Sequence, residues 1–169
     1  KSGSLRVAAV NEPRFEKEGL LIEGASTNLA TYSEEPNRWS FLGVTKVENT
    51  DKSLTITSTS PGYPRLNLVA SSTINLEAGD AMTATYWLKP EGAPIIHLTI
   101  DVAGGLATLR ATVDRATLAV SKFPAGASIG ATAVTAKMEC GLIKIVMTLN
   151  VTAAATFGGS FVGPVAAGG

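Results

Sequence analysis

The chain contains one histidine, His97, and any histidine-dependent triad would have to use it. The carboxylate that could orient it, Asp101, falls on the same alternating set. At strand rise it stands about 13 Å away, too far to hold an imidazole in place. Glutamates offer another route. Glu34 with Glu35, or Glu16 with Glu18, could supply the two carboxylates that glycoside hydrolysis places roughly 5 to 10 Å apart across a cleft. Neighbouring glutamates in a loop read more simply as solvated charge. The expectation is a chain without catalytic residues, not an enzyme.

Binding chemistry is better represented. Trp87 shares a period-two set with Thr83, Thr85 and Lys89, which would set a flat ring for the apolar face of a sugar beside hydroxyls and an ammonium for its polar edge. If the next strand pairs directly with this one, His97, Thr99, Asp101 and Arg110 extend the same polar platform. Tyr63, in a Pro-Gly loop, is a further aromatic anchor. Burial of Trp87 in a second small core is the competing structural reading. Glu48, Asn49 and Asp51 could give oxygens to a structural calcium ion, which takes six to eight ligands, although a plain hairpin turn accounts for them equally well. No metal site and no cofactor is otherwise implied. Asn150-Val151-Thr152 has the form of a glycosylation sequon but lies inside an expected strand.

These residues would be positioned by strands. Leu54 and Ile56 alternate against Ser53, Thr55 and Thr57; Met82, Ala84, Tyr86 and Leu88 alternate against the Trp87 set; Ile96, Leu98, Ile100 and Val102 against Ile95, His97, Thr99 and Asp101. Gly104-Gly105 predicts a hairpin into Leu109, Ala111 and Val113, with Thr108, Arg110, Thr112 and Asp114 facing out. Leu118 and Val120 predict a short strand and Phe123 to Gly126 a turn. Val134, Ala136, Met138 and Cys140 form another inward set. Ile143, Ile145, Met147, Leu149 and Val151 give the clearest alternation in the chain. Between them stand Pro and Gly breaks, as at Pro90 to Pro94. The pattern predicts an all-β sandwich of about nine or ten antiparallel strands with no substantial helix.

The bulk properties agree. A chain of 169 residues suits one domain spanning 1–169. Formal net charge is zero and only 17% of residues are charged, so no basic footprint for nucleic acid or an anionic membrane is expected. The single cysteine, Cys140, rules out an intrachain disulfide and a thiolate cluster, fits synthesis in a reducing cytosol, and reads as a small buried apolar group. The uncharged stretch 145–169 is interrupted by Thr, Asn, Gly and Pro and is not a membrane span. Residues 1–12 read as an arm or edge strand, 153–169 as a Gly/Ala-rich last strand or tail, or a surface covered by a neighbouring subunit. A start at Lys1 rather than Met points to a piece of a longer product.

Residues 13–39 fit neither periodicity, but carry an ordered series: Pro13-Arg14-Phe15, an acidic stretch, Gly19 to Glu23, Thr27-Asn28-Leu29, Tyr32-Ser33-Glu34 and Trp39. The series resembles the opening of a module found in tail fibres, tailspikes and other appendage proteins of tailed bacteriophages. Where that family carries a larger residue or Arg before Thr-Asn, this chain has Ala25-Ser26. The resemblance implies a jelly-roll-like sandwich similar to carbohydrate-binding modules, carried on a virion, made in the bacterial host cytoplasm, and met by other virion proteins; it implies no activity. The expected role is recognition of a bacterial surface glycan, or support of it, in host attachment by a homo-oligomer, a trimer being one form. The alternative expectation is a purely structural capsid decoration, collar or fibre-assembly protein. The segment itself reads as a structural belt, with Phe15, Leu21, Ile22, Asn28 and Trp39 fastening it to the sandwich.

Overall fold

Alternating apolar residues become paired strands, because each strand can bury only one face while its main-chain groups bond to neighbours. The computed structural model describes residues 14–16, 19–21, 35–60, 64–68, 74–102 and 107–165, with 14–16, 19–21 and 107 described through their backbone alone. Strands form at β1 Arg14–Glu16, β2 Gly19–Leu21, β3 Ser40–Leu42, β4 Val44–Glu48, β5 Leu54–Ser58, β6 Arg65–Leu68, β7 Asn75–Leu76, β8 Ala81–Leu88, β9 Ile95–Val102, β10 Ala107–Asp114, β11 Val120–Ala125, β12 Ile129–Glu139, β13 Leu142–Val151 and β14 Ala155–Pro164. The helical content among these residues is a single 3-10 turn, Pro36–Arg38, and none of it is long and apolar enough to cross a membrane.

The all-β sandwich is therefore observed, cut into more strands than expected. β3 and β4 are split at Gly43, whose φ of 62° breaks the extended run. β7 has only two residues. Part of the segment expected to be irregular pairs instead as the antiparallel hairpin β1–β2.

A seven-stranded sheet in the order β11-β10-β9-β14-β6-β3, with β7 beside the start of β14, makes one layer; β12-β13-β8 makes the other, and β4-β5 forms a separate ribbon. Ile96, Leu98, Ile100 and Val102 of β9 and Leu109, Ala111 and Val113 of β10 meet Ile143, Ile145, Met147, Leu149 and Val151 of β13 in one core. Val44 joins this core, with Leu54, Ile56 and Trp39 packed against it. One polar pair crosses between the layers. The Tyr86 hydroxyl of β8 hydrogen-bonds the Ser160 hydroxyl of β14, which also donates to the Thr99 carbonyl at 3.2 Å. Burial pushes the Tyr86 phenol up to about 12, with the Ser160 bond opposing it.

Four local expectations are corrected. Phe123 to Gly126 is not a turn, because β11 continues through Pro124, which pairs with Leu109. β11 is an edge strand, where the missing proline N–H costs no ladder bond, and the reversal waits for Gly126. Leu118, expected in a strand, lies in the preceding turn with φ 59°. Cys140 is exposed, not buried: with Gly141 it forms the two-residue loop of the β12–β13 hairpin, both residues having positive φ as a type I′ turn requires. Met138, just before it on edge strand β12, is 50% exposed.

The Gly-rich stretch taken as a last strand, tail or subunit surface is a central strand. β14 lies between β9 and β6, a jelly-roll-like return. Its composition follows from close approach. A Cβ on Gly163 would stand 1.9 Å from the Pro64 carbonyl oxygen.

Candidate functional site

Trp87 and Thr85 lie on β8 and Lys89 directly follows it, all away from His97, Asp101 and Arg110. Tyr86 and Leu88 face the core from the three-stranded sheet, so Trp87 between them points out of that layer; Ile96 and Leu98 face the core from the seven-stranded sheet, so His97 points out of the other. β8 pairs with β13, and β9 with β10 and β14. The single platform expected from direct pairing of β8 with β9 is corrected to two faces pointing in opposite directions. Residues 89–94 carry the chain from one layer to the other. Arg115 holds this crossover, donating from Nε to the Ala93 carbonyl at 2.8 Å and from its guanidinium to the Lys89 carbonyl, while its own N–H bonds the Pro94 carbonyl at 2.8 Å.

On the first face, Trp87 is 46% exposed, which sets aside its burial in a second core. Its cross-strand partner is Lys144, and the partner of Lys144 is Lys137. The Lys144 ammonium lies 4.8 Å from the Trp87 ring centroid. Glu139 balances the two lysines, 3.2 Å from Lys144, and the Lys137 ammonium followed by that of Lys144 draws its carboxyl below the ordinary range. Thr85 opposes Val146, and Thr83 opposes Thr148 with their hydroxyls 3.1 Å apart. Lys89 bonds Asp51 in the β4–β5 turn at 2.8 Å. This is a water-facing sheet face with a half-open indole, threonine hydroxyls and, at one end, Lys137 and Lys144 about Glu139. Lys144, Glu139 and Thr148 were missed as site residues because β13 pairs with β8, and β12 with β13, only in three dimensions; the alternation of β13 already put Lys144 and Thr148 on an outer face.

The second face carries His97, Asp101 and Arg110. Across it one register rung reads Phe123, Arg110, Thr99, Phe161, Asn67 and Ser40. Arg65 stacks on the Phe161 ring, its guanidinium carbon 4.8 Å from the centroid, and donates to Asn67 Oδ1 at 3.0 Å. His97 is half-buried, with Nε2 3.4 Å from the Thr99 hydroxyl. Burial first, then Arg110 and Arg65, lower its pKa. Asp101 leans over Gly158, where an added Cβ would stand 3.1 Å from Oδ2; its buried Oδ1 has no hydrogen-bond partner. His97 pairs with Thr112 and Asp101 with Thr108, so the two do not form a dyad.

The lowered pKa of His97 gives a pH dependence. The charged groups around it are Arg110 and Asp114 on β10, Arg65 on β6 and Asp101 on its own strand. Between its folded value and the ordinary imidazole value, the unfolded chain binds more protons than the folded one, so stability rises with pH. The contribution is full above the ordinary imidazole value and is lost as pH falls from there through the lowered folded value. Urea unfolding between neutral and mildly acid pH should show this slope in the wild type and a smaller one in His97→Gln; equal slopes would contradict the arrangement.

Glu48, Asn49 and Asp51 form a hairpin turn, with their side chains committed to it. Glu48 accepts from Asn37 at 2.7 Å and Lys52 at 3.1 Å. Asn49 Nδ2 donates to the Ser53 hydroxyl at 2.9 Å. Asp51 accepts from Lys89 and from the Ser53 N–H and hydroxyl, which hold its carboxyl far below the usual range. Among the described residues no group of three or more His, Cys, Asp and Glu converges as metal ligands would. Glu35 pairs with Arg38 at 3.2 Å in solvent. Of the belt, Trp39 is half-buried against the core. The side chains of Phe15 and Leu21, together with Ile22, Asn28 and Tyr63, lie outside the described residues, as do 1–12 and 166–169.

The chain matches no family model, no curated protein and no solved structure.

Proposed function

We propose that this chain is a non-catalytic β-sandwich module of a tailed-bacteriophage appendage, carried on the virion with other virion proteins, that recognises a bacterial surface glycan through the outer face of β12-β13-β8. The observation that carries it is Trp87, left 46% exposed on a sheet face with threonine hydroxyls, Val146 and the Lys137–Glu139–Lys144 group. Exposing an indole is unfavourable unless something covers it. A pyranose does so with its C–H face, while its hydroxyls find Thr85, Glu139 and Lys144 as partners. The ordered series from Pro13 to Trp39 supplies the phage context.

The test is a host-glycan array followed by calorimetry. Trp87→Ala should leave thermal unfolding unchanged and weaken glycan binding about tenfold or more, the loss expected when a stacked aromatic is removed. A folded Trp87→Ala chain with undiminished binding would remove this reading.

One observation favours the second reading, a structural virion protein that assembles as a homo-oligomer. Phe41, Leu42 and Val47 are 52%, 54% and 62% exposed on β3 and β4, where β3 ends the large sheet. Exposed apolar side chains on and beside an open edge strand suit a subunit contact. Placement on the head at icosahedral copy number would favour this reading over receptor binding.

A further inference from the structure

The outer face of the seven-stranded sheet carries two arginines, Arg110 and Arg65, beside Asp101 and Asp114. Arg110 is exposed, and among the described residues no carboxylate forms an ion pair with it or with Arg65. Neither nearby acid reaches them. Asp114 accepts from the N–H groups of Ala116 and Thr117 and the Thr117 hydroxyl in its own turn, and Asp101 leans over the β14 bulge. Arg65, by contrast, is held in place by Phe161 and Asn67, so part of its ordering entropy is already spent before any ligand arrives. Both guanidiniums act on His97, which lies between their strands. Two aromatic rings share a rung with Arg110: Phe123 beside it, 57% exposed, and Phe161 two strands away on the other side. At strand spacing these rings are rooted about 14 Å apart.

We propose that this face is a second binding surface, taking an acidic saccharide laid across the strands, its carboxylates at Arg110 and Arg65 beside His97 and a sugar ring against the exposed Phe123. Guanidinium groups match carboxylates in a bidentate fork, and the Phe123 ring takes the apolar face of a sugar while Phe161 backs Arg65. The surface is distinct from Trp87, which faces the opposite way; it rests on the glycan reading for ligand class alone. A single-stranded nucleic acid would meet the same rings and cations, but zero net charge offers it no wider basic track.

The probes are an oligogalacturonate, its carboxyl-reduced counterpart, acetate and an oligo-dT, titrated into the whole chain. The readout is the imidazole of His97, the sole histidine, by NMR. Oligogalacturonate should raise the pKa of His97 by placing negative charge beside it. Its affinity should drop with added salt and by about tenfold or more in Arg110→Gln and in Arg65→Gln, as expected for a charge-assisted bond. In the free chain, Arg110→Gln should itself raise the pKa of His97. Four results overturn the proposal: no His97 response to oligogalacturonate, equal binding of the reduced oligomer, an equal response to acetate, or tighter binding of oligo-dT. None of these touches Trp87, and loss of glycan binding in Trp87→Ala does not touch His97, so either surface can fail alone.

Discussion

Gly163→Ala is expected to cost as much as a large truncation in the core. The added methyl would stand 1.9 Å from the Pro64 carbonyl oxygen, 2.9 Å from its carbonyl carbon and 3.0 Å from the Arg65 Cα. All three are main-chain atoms, so no rotamer change relieves the clash, and β6 would have to leave β14. Ordinary overpacking costs about 1 to 3 kcal/mol, and this contact lies beyond it because three ladder partners on β6 go with the displaced strand. We expect a loss of about 3 kcal/mol or more, a large share of the roughly 5 to 15 kcal/mol typical of a folded domain. Denaturant titration measures it. Gly141→Ala is the reference: there φ is 78° but nothing lies within 4 Å, and the expected cost is about 1 kcal/mol. Equal losses would refute the close approach of β6 and β14.

Ile145→Ala is the second large effect. Ile145 is fully buried at the middle of β13, opposite Ala136 on one side and Tyr86 on the other. Removing its branched side chain leaves a void that three strands and the facing layer cannot close together, so the loss should lie at about 2 to 5 kcal/mol. Val146, the next residue, points out of the sandwich; Val146→Ala should cost about 1 kcal/mol or less. Two variants one residue apart thus measure which face of β13 is core. If they lose the same amount, the assignment of faces is wrong.

Much of this architecture was legible from alternation alone. The inward sets of β8, β9, β10 and β13 follow directly from residue type, because a strand half in water shows its burial at every second position. The pairing of strands was not. A loop of six residues after Leu88 reads the same whether it turns a hairpin or crosses to the opposite layer, and here Arg115, far along the chain, decides for the crossing. That difference split the expected platform and separated Trp87 from His97. Long-range pairing also hid Glu139, Arg65 and Phe161, which enter their faces only through partners distant in sequence. β14 was obscured for another reason: its glycines answer to the main chain of β6, and contact with a distant backbone leaves no periodic mark. Cys140 likewise occupies a turn position where Asn or Asp is the usual signal.

The place of β14 also bears on how the chain comes to be folded. β6 and β9 flank it, yet both are synthesised well before it, and until it arrives each presents a bare strand edge. The large sheet cannot close by joining neighbours as they emerge from the ribosome. It must wait for residues 155–164 and then pair them with partners roughly 60 and 95 positions earlier. Contacts of such separation fold slowly, and the waiting edges invite association with other copies in the meantime.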